Sequence, residues 1–144
     1  MNNIIIGKQE NIKYDFRETC FGIVVKNDKL LVVKKDEQYS LIGGGLENGE
    51  NFYDCIKREF LEESGYTITK VNDLATIDCF WLAGGKWPLE SLANIFVVEI
   101  DYNTKVEPLE KNHTIEYIEL ENAIDLLPLP YHKKAIEIFL SNKN

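Results

Sequence analysis

The stretch that most constrains this chain is residues 43–66, GGGLENGENFYDCIKREFLEESGY, where a glycine run leads into a segment with helical spacing and a cluster of acids at its end. Asn51 is an N-cap with Asp54 three residues on, Gly65 supplies the left-handed residue past the C-terminus, and no proline interrupts the span. At 100° per residue Phe52, Cys55 and Ile56 fall on one stripe, the pattern of a face packed on a core. One turn further the same stripe runs into Glu59, Glu62 and Glu63. The core-facing side is therefore expected to turn from apolar to acidic within a single helix.

Such an end is electrostatically unfavourable. Carboxylates three and four residues apart repel, and the helix dipole favours cations at this terminus. At an effective dielectric near 20, each pair about 4 to 5 Å apart costs on the order of 3 to 4 kcal/mol. Arg58 can reach Glu62 at i+4 or turn back toward Glu50, but one guanidinium does not neutralise three acids. A divalent cation does, and an all-oxygen donor set selects a hard ion, Mg²⁺ with Mn²⁺ as a substitute, over zinc.

Composition narrows the classes of ligand. The chain of 144 residues is long enough for one domain with a real core. Its 16 basic against 24 acidic side chains, net −8, exclude a nucleic-acid polymer as the main partner, because backbone binding needs clustered Lys and Arg. A small phosphate ester remains accessible if a metal stands between the charges. Cys20, Cys55 and Cys79 are odd in number, far apart and set among apolar residues, so three reduced thiols are expected. The start, MNNIIIGKQE, has no signal-peptide pattern, and no apolar run approaches the roughly 20 residues of a membrane span, so a cytoplasmic protein is expected, as a monomer or homodimer.

Taken in order, Ile4 to Ile6 reads as an edge strand, and residues 17–35 as a hairpin turning at Asn27-Asp28 and apolar on both faces. Tyr39 to Ile42 is a short strand into the glycines. YTITKVN and LATIDCFWL read as two strands, AGGKWP as a loop, ANIFVVEID as a strand, KVEPLEKNH as a polar connection and TIEYIEL as a last strand. A short helix ends at Pro128, and a closing helix runs through YHKKAIEIFLSNK with Ala135, Ile136, Phe139 and Leu140 on one face. His113 and His132 are expected at the surface or on a helix flank. The class is a mixed sheet flanked by helices.

Glycines before a helix suggest a phosphate loop, and two patterns test that. A P-loop would end in Gly-Lys-Ser/Thr, whereas this loop ends in Asn48-Gly49-Glu50; the dinucleotide fingerprint fails at Asn48. An acid at the helix start would also repel phosphate from the N-terminal dipole.

What does match is the Nudix box, G-x5-E-x7-R-E-U-x-E-E-x-G-U with U bulky and aliphatic. Gly44, Glu50, Arg58, Glu59, Glu62, Glu63 and Gly65 fill every fixed position over residues 44–66. Phe60 and Tyr66 occupy the U positions, and Ile42 stands where many members have proline. The chain thus resembles a small MutT-like Nudix hydrolase in which residues 1–144 form one Nudix domain. The resemblance implies an α/β/α sandwich with a mixed β-sheet and Mg²⁺ held by Glu59, Glu62, Glu63 and the Gly44 carbonyl. It also implies that Arg58 orients the acids through Glu50, and that the reaction is hydrolysis of a diphosphate linkage in a nucleoside diphosphate joined to a group X. The general base is Glu63 or Glu59, or a glutamate outside the box, Glu107 or, by its place ahead of the last strand, Glu110.

The substrate is a small nucleotide: a (d)NTP, oxidised or not, leads, with ADP-ribose or a nucleotide sugar as the alternative. Arg17 and Tyr39, entering the sheet, and Trp81 and Trp87, which with Phe80 bracket the glycine loop, are the candidates for holding it, while by alternation Phe80 or Trp81 belongs to the core. A reading of another class, a Nudix domain that binds nucleotide without hydrolysis, ranks lower because members of that kind commonly lack one of the acids present here.

Overall fold

The structure is a computed structural model that describes residues 2–142. Its elements in chain order are strands β1 (Asn2–Ile6), β2 (Asp15–Ile23), β3 (Val25–Lys26), β4 (Lys29–Lys35), β5 (Gln38–Ser40) and β6 (Ile42–Gly45). Helix α1 (Phe52–Ser64) follows, then β7 (Thr67–Ala83), β8 (Trp87–Asp101), β9 (Thr114–Glu119), a 3-10 turn (Leu120–Asn122), α2 (Ala123–Leu126) and α3 (Pro130–Ser141). The closing helix is expected through Lys143, which lies outside the described residues.

Five strands form a mixed sheet in the order β1-β7-β8-β2-β6, parallel at β1/β7 and β2/β8 and antiparallel at β7/β8 and β2/β6. A second sheet is built on β4, which pairs with β3, β5 and β9. The expected hairpin over 17–35 is thereby divided. The chain leaves the large sheet at Val24, turns at Asn27 and Asp28 (φ 53° and 60°), and returns at Leu41. Left-handed backbone at both turn positions is the two-residue hairpin geometry that matches strand twist. The two strands expected at YTITKVN and LATIDCFWL are one continuous β7. Register shifts between Ile68/Lys70 and Asp73/Ala75 absorb the polar residues that resemble a break in the sequence.

Strand alternation gives the large sheet two apolar faces and hence three layers. Cys20, Ile42, Phe96 and Val98 lie under Cys55, Ile56 and Phe60 of α1, whereas Phe21, Ile77, Ala93 and Ile95 lie under Tyr131, Ala135 and Ile136 of α3. This is the expected α/β/α arrangement. Gly22 is glycine for a packing reason: a Cβ there would stand 2.5 Å from the Phe60 ring.

Three sequence expectations are corrected. Phe52 is 37% exposed, and the buried stripe of α1 is Cys55, Ile56, Phe60 and Ser64, so the apolar row passes beside the acids instead of ending in them. Cys20 and Cys55 are joined in a disulfide, because α1 lies across β2 and closes a separation of 35 residues that looks unrelated in the sequence. Cys79 remains a free thiol, pushed up to about 11 chiefly by burial. His132 is 0% exposed; its Nδ1 accepts the Leu41 N–H (3.3 Å), which has no strand partner where the chain changes sheets. Burial holds its pKa down at about 3, so it is neutral and fastens α3 to the strand leading into the glycines.

Candidate active site

The ends of α1 are capped as its sequence requires. Asn51 Oδ1 accepts the Asp54 N–H (2.8 Å), and Gly65 ends the helix at φ 78°, where a Cβ would also collide with the Val106 carbonyl. The terminal carbonyls are then satisfied from a distant segment. Gly65 O accepts from Val106 N (2.9 Å), Glu62 O from Glu110 N (3.1 Å), and Glu63 O from His113 Nε2 (2.8 Å). Stitching 106–113 to the helix end carries Glu110 to the acids. His113 is thus half-buried and bonded to the end of the helix.

Arg58 organises the acids on the inner side. Its guanidinium grips Glu50 through two bonds (Nε–Oε2 2.7 Å, Nη2–Oε1 2.9 Å), meets Glu59 at 2.9 Å and Glu62 at 3.1 Å, and donates to the Gly45 carbonyl at 3.1 Å. Glu50 is consequently held below the usual carboxylate range by its bond to Arg58, while the same bond leads in raising Arg58.

Among the described residues no Lys or Arg pairs with Glu63. One oxygen accepts the Gly43 N–H (2.8 Å), yet burial, with Glu59, Glu110 and Glu62 nearby, pushes its pKa up to about 8. Glu59 is raised as well, chiefly by burial, with Arg58 opposing. Ligand oxygens of Glu59, Glu63 and Glu110 lie within 4.8 Å of one another. Glu62 is outside that group and turned to Arg58. The Gly44 backbone lies directly over the acids: a Cβ at Gly44 would stand 2.8 Å from Glu59 Oε1. Three converging carboxylates, an acid driven toward neutrality and a bare glycine above them are a donor set and a space that fit one hard divalent cation.

The remaining sequence candidates separate. Exposed Arg17 stands beside the glycine strand, its Nη2 3.3 Å from where a Gly45 Cβ would be, and its charge acts on Tyr131. Trp81 is half-buried, bonded through Nε1 to Ser91 Oγ (2.9 Å), with its ring 5.8 Å from Tyr131. Tyr39 is half-buried beneath the Lys34 ammonium (5.5 Å to the ring). Phe80 is in the core. Trp87 is 66% exposed at the tip of the β7–β8 hairpin, six residues along β8 from Ala93, or roughly 20 Å from the level of Gly45, too far to join the acids. Glu107 is exposed and pairs with Lys111. Tyr131 and Ser91, which tie Arg17 to Trp81, carry no sequence signal because they are brought together only by α3 docking on the sheet.

A recess of about 560 Å³ lies between the β4–β5 turn with Lys34 and Glu116 on one side and residues 111–114 on the other. Its rim is the segment that delivers Glu110 and His113 to α1.

Comparison with known proteins agrees with this geometry. The NUDIX domain family model matches residues 17–140. Among solved structures, a MutT protein from Bacillus halodurans superposes with TM-score 0.69 at 21% identity, covering 84% of this chain and 80% of its own. A MutT NUDIX hydrolase from Burkholderia pseudomallei gives 0.67 at 20% identity (85% and 97%), and a NUDIX hydrolase from Nitrosomonas europaea 0.68 at 17% (90% and 92%). No curated protein matches the sequence. Among the described residues no helix is long and apolar enough to cross a membrane.

Proposed function

This chain belongs to the Nudix family and is a hydrolase of pyrophosphate bonds, and we propose that residues 1–144 form one Mg²⁺-dependent catalytic domain that cleaves the diphosphate linkage of a small nucleotide in the cytoplasm. The observation that carries this reading is the convergence of Glu59, Glu63 and Glu110 within 4.8 Å beneath Gly44. These three, with the Gly44 carbonyl, would hold the cation, and Glu62 supports them through Arg58. A cation bound there supplies neutralisation of the diphosphate and a more acidic water near neutral pH.

The chain's own groups do the rest. Arg58, fixed by Glu50, sets the Glu59 carboxylate. Glu63 has one oxygen committed to the Gly43 N–H, which leaves the other, once the cation has ionised the carboxyl, to take a proton from water; Glu59 is the alternative base. Arg17, exposed beside Gly45, is placed to meet a phosphate, and Trp81 and Tyr39 to border the nucleoside. The test is a panel of (d)NTPs, dinucleoside polyphosphates, ADP-ribose and nucleotide sugars with Mg²⁺. Wild type is expected to release a nucleoside monophosphate from at least one of them, and Glu63→Gln from none; equal turnover by the two proteins refutes the assignment.

A further inference from the structure

We propose that the Cys20–Cys55 bond is a redox switch on the cation site, the disulfide form binding Mg²⁺ more tightly than the dithiol form. The inference rests on the cation reading given above and adds a control that the reading does not contain.

The position of the bond carries the argument. Cys20 stands opposite Gly44 where β2 pairs with β6, and Cys55 Sγ lies 3.8 Å from the carbonyl oxygens of both Gly44 and Gly45. The bond thus ties β2 to α1 in contact with the carbonyl that is placed to hold the ion. On its other side Cys55 Sγ is 4.0 Å from Nη2 of Arg58, the residue that sets the Glu59 carboxylate. Cys79 belongs to the core under α3, on the opposite face of the sheet, so it cannot exchange with the pair.

The two forms differ in their chemistry at Gly44. A disulfide sulfur has no hydrogen to give, so it leaves both glycine carbonyls to other partners. In the dithiol the Cys55 S–H becomes a weak donor beside Gly44 O and Gly45 O, competing with a cation at the first and with the Arg58 bond at the second. Two thiols also occupy more space than one disulfide. Both residues are 0% exposed, in a cluster with Ile42, Ile56 and Phe96, so reduction displaces α1 against β2 and loosens the hold on Gly44. In a reducing compartment such as the one proposed above, a disulfide is transient and redox-sensing more often than structural. The step is exchange with a dithiol reductant. One reductant thiolate attacks a cystine sulfur and breaks the S–S bond, and the second reductant thiol then releases the protein. The protein gains two electrons and two protons, and the reductant leaves as a disulfide.

Mg²⁺ is titrated by calorimetry into the metal-free full chain, as the disulfide and after reduction with dithiothreitol. The dissociation constant is expected to be on the order of five- to ten-fold higher for the dithiol, a usual size for coupling between two sites. Because coupling is reciprocal, Mg²⁺ should shift the pair toward the disulfide by the same factor in mixtures of oxidised and reduced dithiothreitol, read by counting thiols after acid quenching. Cys20→Ala should bind Mg²⁺ as the reduced form does under either condition. Equal dissociation constants for the two forms, or a redox dependence kept by Cys20→Ala, overturns the switch, as does a reduced protein that circular dichroism shows to be unfolded. Should Cys20→Ala itself not fold, the thiol equilibrium of wild type with and without Mg²⁺ decides alone. Mg²⁺ binding to neither form refutes the cation reading and the switch together, whereas equal binding to both refutes only the switch.

Discussion

Replacing Glu63 by Gln should stabilise the metal-free protein at neutral pH while removing its response to Mg²⁺. The folded structure raises the Glu63 pKa from its ordinary value of 4.5 to about 8, because burial penalises the charge and the single Gly43 N–H bond does not offset it. A carboxyl whose pKa is higher in the folded than in the unfolded state binds its proton more tightly when folded. Its contribution to stability is fully present below pH 4.5 and is lost as pH rises toward 8. At about 1.4 kcal/mol per pH unit, wild type should lose roughly 2 to 3 kcal/mol through Glu63 between pH 5 and pH 7. Gln keeps an oxygen for the Gly43 N–H but does not ionise. Urea denaturation in EDTA at the two pH values should therefore show the Gln variant gaining on wild type by roughly that amount. Adding Mg²⁺ at pH 7 should raise the wild-type midpoint and leave the variant's unchanged. A stability difference between the two proteins that is the same at pH 5 and pH 7 would refute the claim that Glu63 is a buried, uncompensated acid.

Other perturbations address the scaffold. Reducing the Cys20–Cys55 bond removes a cross-link over 35 residues, which by chain entropy stabilises the fold by about 4 kcal/mol. Denaturation of reduced and oxidised protein should differ on that order, and titration of unfolded, unreduced protein should find one thiol, Cys79. Arg58→Lys keeps the charge but not the two-bond grip on Glu50 or the bond to Gly45, so a loss of roughly 1.5 to 3 kcal/mol and weaker Mg²⁺ binding by calorimetry are expected. Gly65→Ala forces a side chain into left-handed backbone and against the Val106 carbonyl. It should lower the thermal midpoint and, by freeing the 106–113 segment that positions Glu110, weaken Mg²⁺ binding as well.

Local chemistry was legible in the residues. The caps of α1 at Asn51 and Gly65, the turn at Asn27-Asp28, the Arg58–Glu50 pairing and the acidic helix end all depend on spacings of a few residues, which the chain's geometry fixes without knowledge of the fold. The burial of His132 was not legible, because its partner Leu41 is 91 positions away and its need for a hydrogen bond arises only where the strand changes sheets. Continuous β7 was missed for a related reason: its polar stretch reads as a break until β8 lies beside it and bulges absorb it.

The sequence by itself determined that an acid-ended helix follows a glycine loop and that the two together fill every fixed position of the Nudix box. Only the tertiary structure decided how those acids divide. Glu62 turns to Arg58, while Glu110 joins Glu59 and Glu63, because the open carbonyls at the end of α1 bind the backbone of a segment more than 40 residues away. A helix states its own end in its sequence, but the group that satisfies that end, and brings one more carboxylate with it, is fixed only when the chain has closed on itself.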